Sequence, residues 1–284
     1  MKKKLLITLG CSYTEGVGCY NESLFTSTTI QEQRAELHDE IFYNSHRPYF
    51  HEFGWPNKLG KKLKFDKVIN LGKTGSSTSG QLKVFFDLYY NNKFEGYDTT
   101  IFWLLTEPSR FSFYSEGTVR NFQPAILSKR NSEDLDFTLK SGYVKFIDNL
   151  KVDPLLDQLF YIKSLESYCQ LNNFNLLLLN TQNRNEVFMR YFYKSSNYIS
   201  NKPVNIFSTI TNEMISPICE HPNELGYEKF AIKMFELIKE NHPHLINTIS
   251  PNNFEWEWNG DGICYTKIPN DTEDDMVKNW DRYL

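Results

Sequence analysis

The chain has 284 residues, 40% of them hydrophobic, and a formal net charge of −4 from 31 basic and 35 acidic side chains. That length supports a full core in one elaborated domain, or one domain with a tail, and the charge balance supplies no global basic field for a nucleic-acid partner. Five cysteines, Cys11, Cys19, Cys169, Cys219 and Cys264, form no C-x-x-C pair, which argues for reduced thiols and against a zinc knuckle or a disulfide framework; no metal and no cofactor is expected.

Lys2-Lys3-Lys4 precedes the apolar run Leu5 to Leu9, which is too short for a secretory start and is followed by no small-residue cleavage site. No stretch approaches the roughly 18 to 20 apolar residues of a membrane span. A cytoplasmic chain without a membrane span is the expectation.

The run Leu5-Leu6-Ile7-Thr8-Leu9 reads as a first strand buried on both faces, ending at Gly10 and delivering Ser12 to the sheet edge where α/β proteins hold ligands. Ser12-Tyr13-Thr14-Glu15 also fits a capping box, in which the serine only satisfies amides at a helix start. A partner histidine would decide between cap and nucleophile, because a serine hydroxyl needs a base to accept its proton.

Residues from about 20 to 53 are polar without a strong period and read as an insertion, with a short helix of its own or disordered. Trp55, Leu59 and Leu63 then mark a helix with Pro56 in its first turn. Lys67 to Leu71 is a second strand, and Leu82, Phe85, Phe86 and Tyr89 give the next helix its apolar side.

Between them Gly72-Lys73-Thr74 imitates the end of a phosphate loop, but the upstream glycine that loop requires is Lys67 here, so the signature fails. Thr99 to Leu105 is a third strand, stopped near Pro108. A second irregular region runs from about 111 to 152 and includes the charge run 129–134, read as a solvated loop. Pro154 opens a long helix, Asn175 to Asn180 forms a fourth strand, and the last core helix starts after His221-Pro222 with Asn223 as its cap.

Asn180, Gln182 and Asn183 follow that fourth strand as loop caps or pocket lining. Strands alternating with helices imply a mainly parallel, doubly wound sheet in a three-layer α/β/α sandwich.

Four blocks fall at matching strand ends: Gly10-Cys11-Ser12-Tyr13-Thr14, Asn70-Leu71-Gly72-Lys73-Thr74-Gly75, Thr106 to Arg110, and His221-Pro222-Asn223. Their order resembles the SGNH (GDSL-type) hydrolase family, with its Gly-Asp-Ser-x-Thr, Asn-x-Gly-x-x-Gly, Gly-x-Asn-Asp and Asp-x-x-His-Pro blocks. The resemblance implies a flavodoxin-like SGNH hydrolase fold over residues 1–245, with insertions at about 20–53 and 111–152, followed by an aromatic and acidic tail at 246–284. That tail, with Trp256, Trp258 and Trp280, reads as packing on the body or on another subunit, in a homo-oligomer or larger assembly.

By the same resemblance Ser12 is the nucleophile, His221 its general base, and the amides of Ser12 and Gly72 the oxyanion donors. Three departures accompany the match: Cys11 replaces the aspartate before the serine, Thr106-Glu107-Pro108-Ser109 lacks the asparagine, and Ile218 occupies the place of the orienting acid. Glu220 and Glu107 are the carboxylates available to orient His221, and Ser109 the available replacement donor.

Thr14 stands where an α/β-hydrolase elbow needs glycine, so a shallower cleft is expected. The implied activity is ester cleavage on a small-molecule, carbohydrate O-acetyl or lipid-like substrate. A catalytically reduced protein of the same fold, used for binding or as part of an assembly, is the alternative.

Overall fold

The structure is a computed structural model that describes residues 2–90, 94–106, 110–115, 118–122, 154–180, 195–200, 206–247, 250–251 and 253–259. Its centre is strand β1 (Lys3–Leu9), whose residues from Leu5 onward are all buried. Consecutive buried side chains point to opposite sides of a strand, so both faces of β1 are covered. The same holds for β3 (Tyr97–Leu105), buried from Thr99 to Leu105, which pairs in parallel with β1 so that Leu9 lies beside Trp103. Each fully buried Leu or Phe on these strands is worth about 1.5–3 kcal/mol.

On the other side of β1 lies β2 (Lys67–Asn70), also parallel. Beyond β3 lies β6 (Asn175–Asn180), and beyond β2 lies β7 (Glu255–Trp258). The sheet is therefore five-stranded and entirely parallel, in the order β6-β3-β1-β2-β7.

The four apolar strands read from the sequence are all present. The fifth comes from the tail: Glu255–Trp258 packs on the body as a strand, at the sheet edge beside β2.

Helices follow the expected alternation. Helix α4 (Trp55–Leu63) has Pro56 in its first turn and buries Trp55, Leu59 and Leu63. It packs against α7 (Glu224–Asn241), which buries Tyr227, Phe230, Ala231, Met234 and Ile238. Trp55 sits at the junction, its ring 5.1 Å from Phe102 on β3 and 6.0 Å from Phe230 on α7. Helix α5 (Thr78–Tyr90) packs in turn against α6 (Pro154–Asn172).

The 20–53 segment carries more structure than its composition suggests: a 3-10 turn at Glu22–Leu24, α2 (Ile30–Glu36) and the fourteen-residue α3 (Glu40–Phe53). Helix α3 buries His46, Phe50 and His51. Two of these are polar, which conceals the helical stripe from a hydrophobicity count.

The region after residue 110 likewise opens with an antiparallel hairpin, β4 (Phe111–Ser115) and β5 (Thr118–Phe122), where an irregular stretch was expected. The charge run 129–134, Gln182, Asn183 and Trp280 lie outside the described residues. Among the described residues no helix is long and apolar enough to cross a membrane.

Candidate active site

At the carboxyl edge of β1 the chain enters α1 (Ser12–Glu15), a single turn whose Thr14 and Glu15 amides donate to the Cys11 carbonyl at 2.8 and 2.9 Å. Cys11 is the cap residue and offers no side-chain hydrogen bond. The capping-box reading of Ser12 therefore does not hold, because Ser12 lies inside the turn. Its hydroxyl is free to do something else, and its Oγ is 2.8 Å from Nε2 of His221, 209 positions along the chain.

His221 stands on a tight loop before α7. Ser216 N–H donates to the His221 carbonyl at 2.8 Å, Asn223 N–H donates to the Met214 carbonyl at 2.9 Å, and Asn223 Oδ1 caps α7 by accepting from Gly226 N–H at 3.1 Å. Arg34 of α2 grips the loop from outside, its Nε donating to the Ile218 carbonyl at 2.6 Å and a terminal nitrogen to the Pro217 carbonyl at 2.7 Å. Close approach of the first turn to this loop depends on Gly18, at φ 114°, where a Cβ would stand 2.3 Å from the Pro222 carbonyl oxygen.

The second ring nitrogen of His221, Nδ1, is 3.0 Å from the Cys219 carbonyl oxygen. A carbonyl can only accept, so Nδ1 carries the proton and Nε2 presents its lone pair to the Ser12 hydroxyl. This is the tautomer a general base needs.

Its orienting partner is a backbone carbonyl and not the carboxylate of Glu220, which is exposed on a left-handed backbone at φ 62°. Glu107 and Ser109 lie outside the described residues. Burial is the largest influence on the imidazole and lowers its pKa from 6.5; the Cys219 carbonyl opposes that shift, Arg110 reinforces it and Glu220 opposes it. Tyr13 covers the ring, with centroids 4.9 Å apart.

Gly72 occupies the expected place beside the first turn, but its amide is already engaged, donating to Asn70 Oδ1 at 2.8 Å. The buried Asn70 also accepts from Thr8 Oγ1 at 3.2 Å and donates to the Thr14 carbonyl at 2.8 Å, so it ties β1, β2 and α1 together. A Cβ at Gly72 would lie 2.4 Å from Glu15 N and 2.5 Å from Thr14 C. Gly72 is thus required for packing against α1, and its amide does not serve as an oxyanion donor in this arrangement. For Ser12 N–H, in contrast, no partner is found among the described residues.

Sequence reading missed the support behind this turn. Glu15 is fully buried; its Oε2 accepts from Thr74 N–H at 2.6 Å and Thr74 Oγ1 at 2.5 Å, and its Oε1 is 3.4 Å from Arg47 Nε. The Arg47 guanidinium lies over the Trp258 ring at 4.4 Å, and Trp258 Nε1 donates to the Gly72 carbonyl at 2.9 Å. Segments α1, α3, β7 and the loop after β2 are cross-linked by this cluster.

A cavity of about 1100 Å³ borders Gly18, Tyr20, Phe25, Lys58, Ile218 and Glu224. Neither Ser12 nor His221 is among its lining residues. Among the described residues no group of His, Cys, Asp and Glu could hold a metal ion.

What the site can do follows from these contacts: a half-buried, neutral imidazole in hydrogen-bond reach of a serine hydroxyl can accept its proton as the oxygen attacks an electrophile. The chain matches no protein-family model, no curated protein and no solved structure.

Proposed function

We propose that this chain is a divergent SGNH-like serine hydrolase that cleaves an ester by acyl transfer to water, on a three-layer, doubly wound form of its α/β fold. The observation that carries the reading is the 2.8 Å contact between Ser12 Oγ and the acceptor nitrogen of His221, whose tautomer is fixed by the Cys219 carbonyl. In the reaction the Ser12 oxygen bonds to the ester carbonyl carbon, its proton passes to Nε2, and the carbonyl π pair moves onto oxygen. Collapse of that intermediate breaks the bond to the alcohol oxygen, which takes the proton from Nε2. Water then repeats the sequence on the acyl-enzyme.

The Cys219 carbonyl holds the ring in place but lacks the full negative charge that a carboxylate would set against the imidazolium, so the reading carries a modest turnover rate. A carbohydrate O-acetyl group or a lipid-like ester is the substrate class in keeping with the family resemblance. Support also comes from Glu220, a non-glycine residue held at positive φ beside the base, since backbone of this kind concentrates at functional sites.

A second reading is favoured by a specific observation, the occupied Gly72 amide: a catalytically reduced protein of this fold that binds a ligand or serves in a larger assembly. Turnover of a small acetyl ester separates the two. Hydrolysis by the wild type that falls about 100-fold or more in His221→Ala supports the hydrolase; a folded wild type with no turnover above the Ser12→Ala variant supports the second reading.

A further inference from the structure

Two expected oxyanion donors are accounted for without supplying one. The Gly72 amide is taken by Asn70, and the third block has no asparagine. Of the family's amide donors that leaves, among the described residues, the Ser12 amide to meet the negative charge that acyl transfer develops, a task that ordinarily takes two or more fixed donors or a cation.

A cation stands on the same edge. The sheet order β6-β3-β1-β2-β7 places the reversal of winding between β1 and β3, and ligands of open α/β sheets bind outside the carboxyl ends of the strands at that point. Ser12 follows β1 on one side of this crevice and Arg110 follows β3 on the other. The approach to Arg110 is anchored where Gln158 Nε2 donates to the Thr106 carbonyl at 2.8 Å, and the hairpin β4–β5 begins immediately after it.

Arg110 Nε is buried and has no hydrogen-bond partner among the described residues. Its charge reaches both the Tyr13 hydroxyl and the His221 ring, which lie against each other.

A guanidinium whose charge reaches a general base is unfavourable in the resting protein, because it opposes the imidazolium that the base must become. The arrangement becomes favourable once a negative charge forms between them. We propose that Arg110 is the oxyanion-stabilising cation of the Ser12–His221 site, filling the role that the Gly72 amide and the missing asparagine leave open. This rests on the hydrolase reading above. As Ser12 Oγ bonds to the carbonyl carbon and its proton moves to His221 Nε2, the pair displaced onto the carbonyl oxygen is met by the guanidinium N–H groups, which release it when the carbonyl re-forms. Among the described residues the groups that act on the base, by contact or by charge, are Tyr13, Arg110, Cys219 and Glu220.

The test uses the full chain with two activated esters, neutral 4-nitrophenyl acetate and anionic 4-nitrophenyl succinate, and the variants Arg110→Met and Arg110→Lys. For the neutral ester, Arg110→Met is expected to lower kcat by about 100- to 1000-fold while KM stays within about twofold. Arg110→Lys, which keeps the charge but not the planar fork, should recover part of the rate.

Removing the cation should also move the acid limb of kcat/KM to higher pH, a change that loosened packing alone would not produce. Unchanged kcat for the neutral ester in Arg110→Met overturns the inference while leaving the hydrolase standing. A loss confined to KM for the succinate ester overturns it too, and makes Arg110 a binding site for a substrate anion. If Arg110→Met does not fold, Arg110→Lys decides: wild-type kcat together with an unmoved acid limb overturns the inference. Absence of Ser12-dependent turnover in the wild type overturns the hydrolase reading and this inference together.

Discussion

His221 has its two ring nitrogens on opposite duties, Nδ1 donating to the Cys219 carbonyl and Nε2 facing Ser12, and this division sets the pH behaviour of the site. Burial, the main cause, lowers the folded-state pKa below 6.5, so the imidazole is neutral at pH 7 and able to accept a proton. Activity should hold as the pH falls to 6.5 and drop only as it passes the lowered pKa. A kcat/KM profile with its acid limb below 6.5 fits, and one with its limb above 6.5 contradicts the assignment. The linkage has the same direction: the folded chain binds this proton less tightly than the unfolded one, so His221 withdraws stability below pH 6.5.

Gly72 gives a second residue-scale prediction. Because a Cβ there would press on the backbone of Thr14 and Glu15, Gly72→Ala should destabilise the fold by about 1–3 kcal/mol, seen as a lower midpoint in urea. Unchanged stability would mean that the turn and the loop after β2 are not in this contact.

At the scale of elements, the strands were legible wherever burial on both faces left an unbroken apolar run, as in Leu5–Leu9 and Ile101–Leu105. Ser12 and His221 were legible for a related reason: short motifs at strand and helix ends survive in the sequence even when their partners are distant. What could not be read was the use of main-chain groups and polar core residues.

The Cys219 carbonyl that orients the His221 ring has no signature, and neither does the engagement of the Gly72 amide by Asn70. Helix α3 was hidden because it buries His46 and His51 beside Phe50. Strand β7 was hidden because four residues of alternating Glu and Trp after the last helix resemble a polar tail.

The insertion also serves the site through α2, where Arg34 holds the carbonyls of Pro217 and Ile218. Arg34→Ala should leave global stability within about 1 kcal/mol and speed amide exchange in the Ser216–His221 loop. Exchange there at the wild-type rate would show that the loop is held by its own hydrogen bonds alone.

Across the whole molecule, strand β7 extends the sheet and braces the site. Strand β7 covers the edge of β2, and Trp258 joins Arg47 to Gly72 behind the turn that carries Ser12. Deleting residues 252–284 should therefore expose an apolar edge, promoting self-association, and lower the unfolding midpoint. Size-exclusion chromatography and urea titration check this, and a monomer of wild-type stability would contradict it.

The same strand brings together groups from α1, α3 and the loop after β2, so the turn that carries Ser12 is held on several sides while the Ser12 hydroxyl itself is in contact with His221. The most direct measurement of the central claim is the intact mass of the chain after exposure to a fluorophosphonate probe, for wild type and Ser12→Ala. One adduct is expected on the wild type, mapped to Ser12, and none on the variant; equal labelling of the two, or no adduct on folded wild type, would contradict a nucleophilic Ser12.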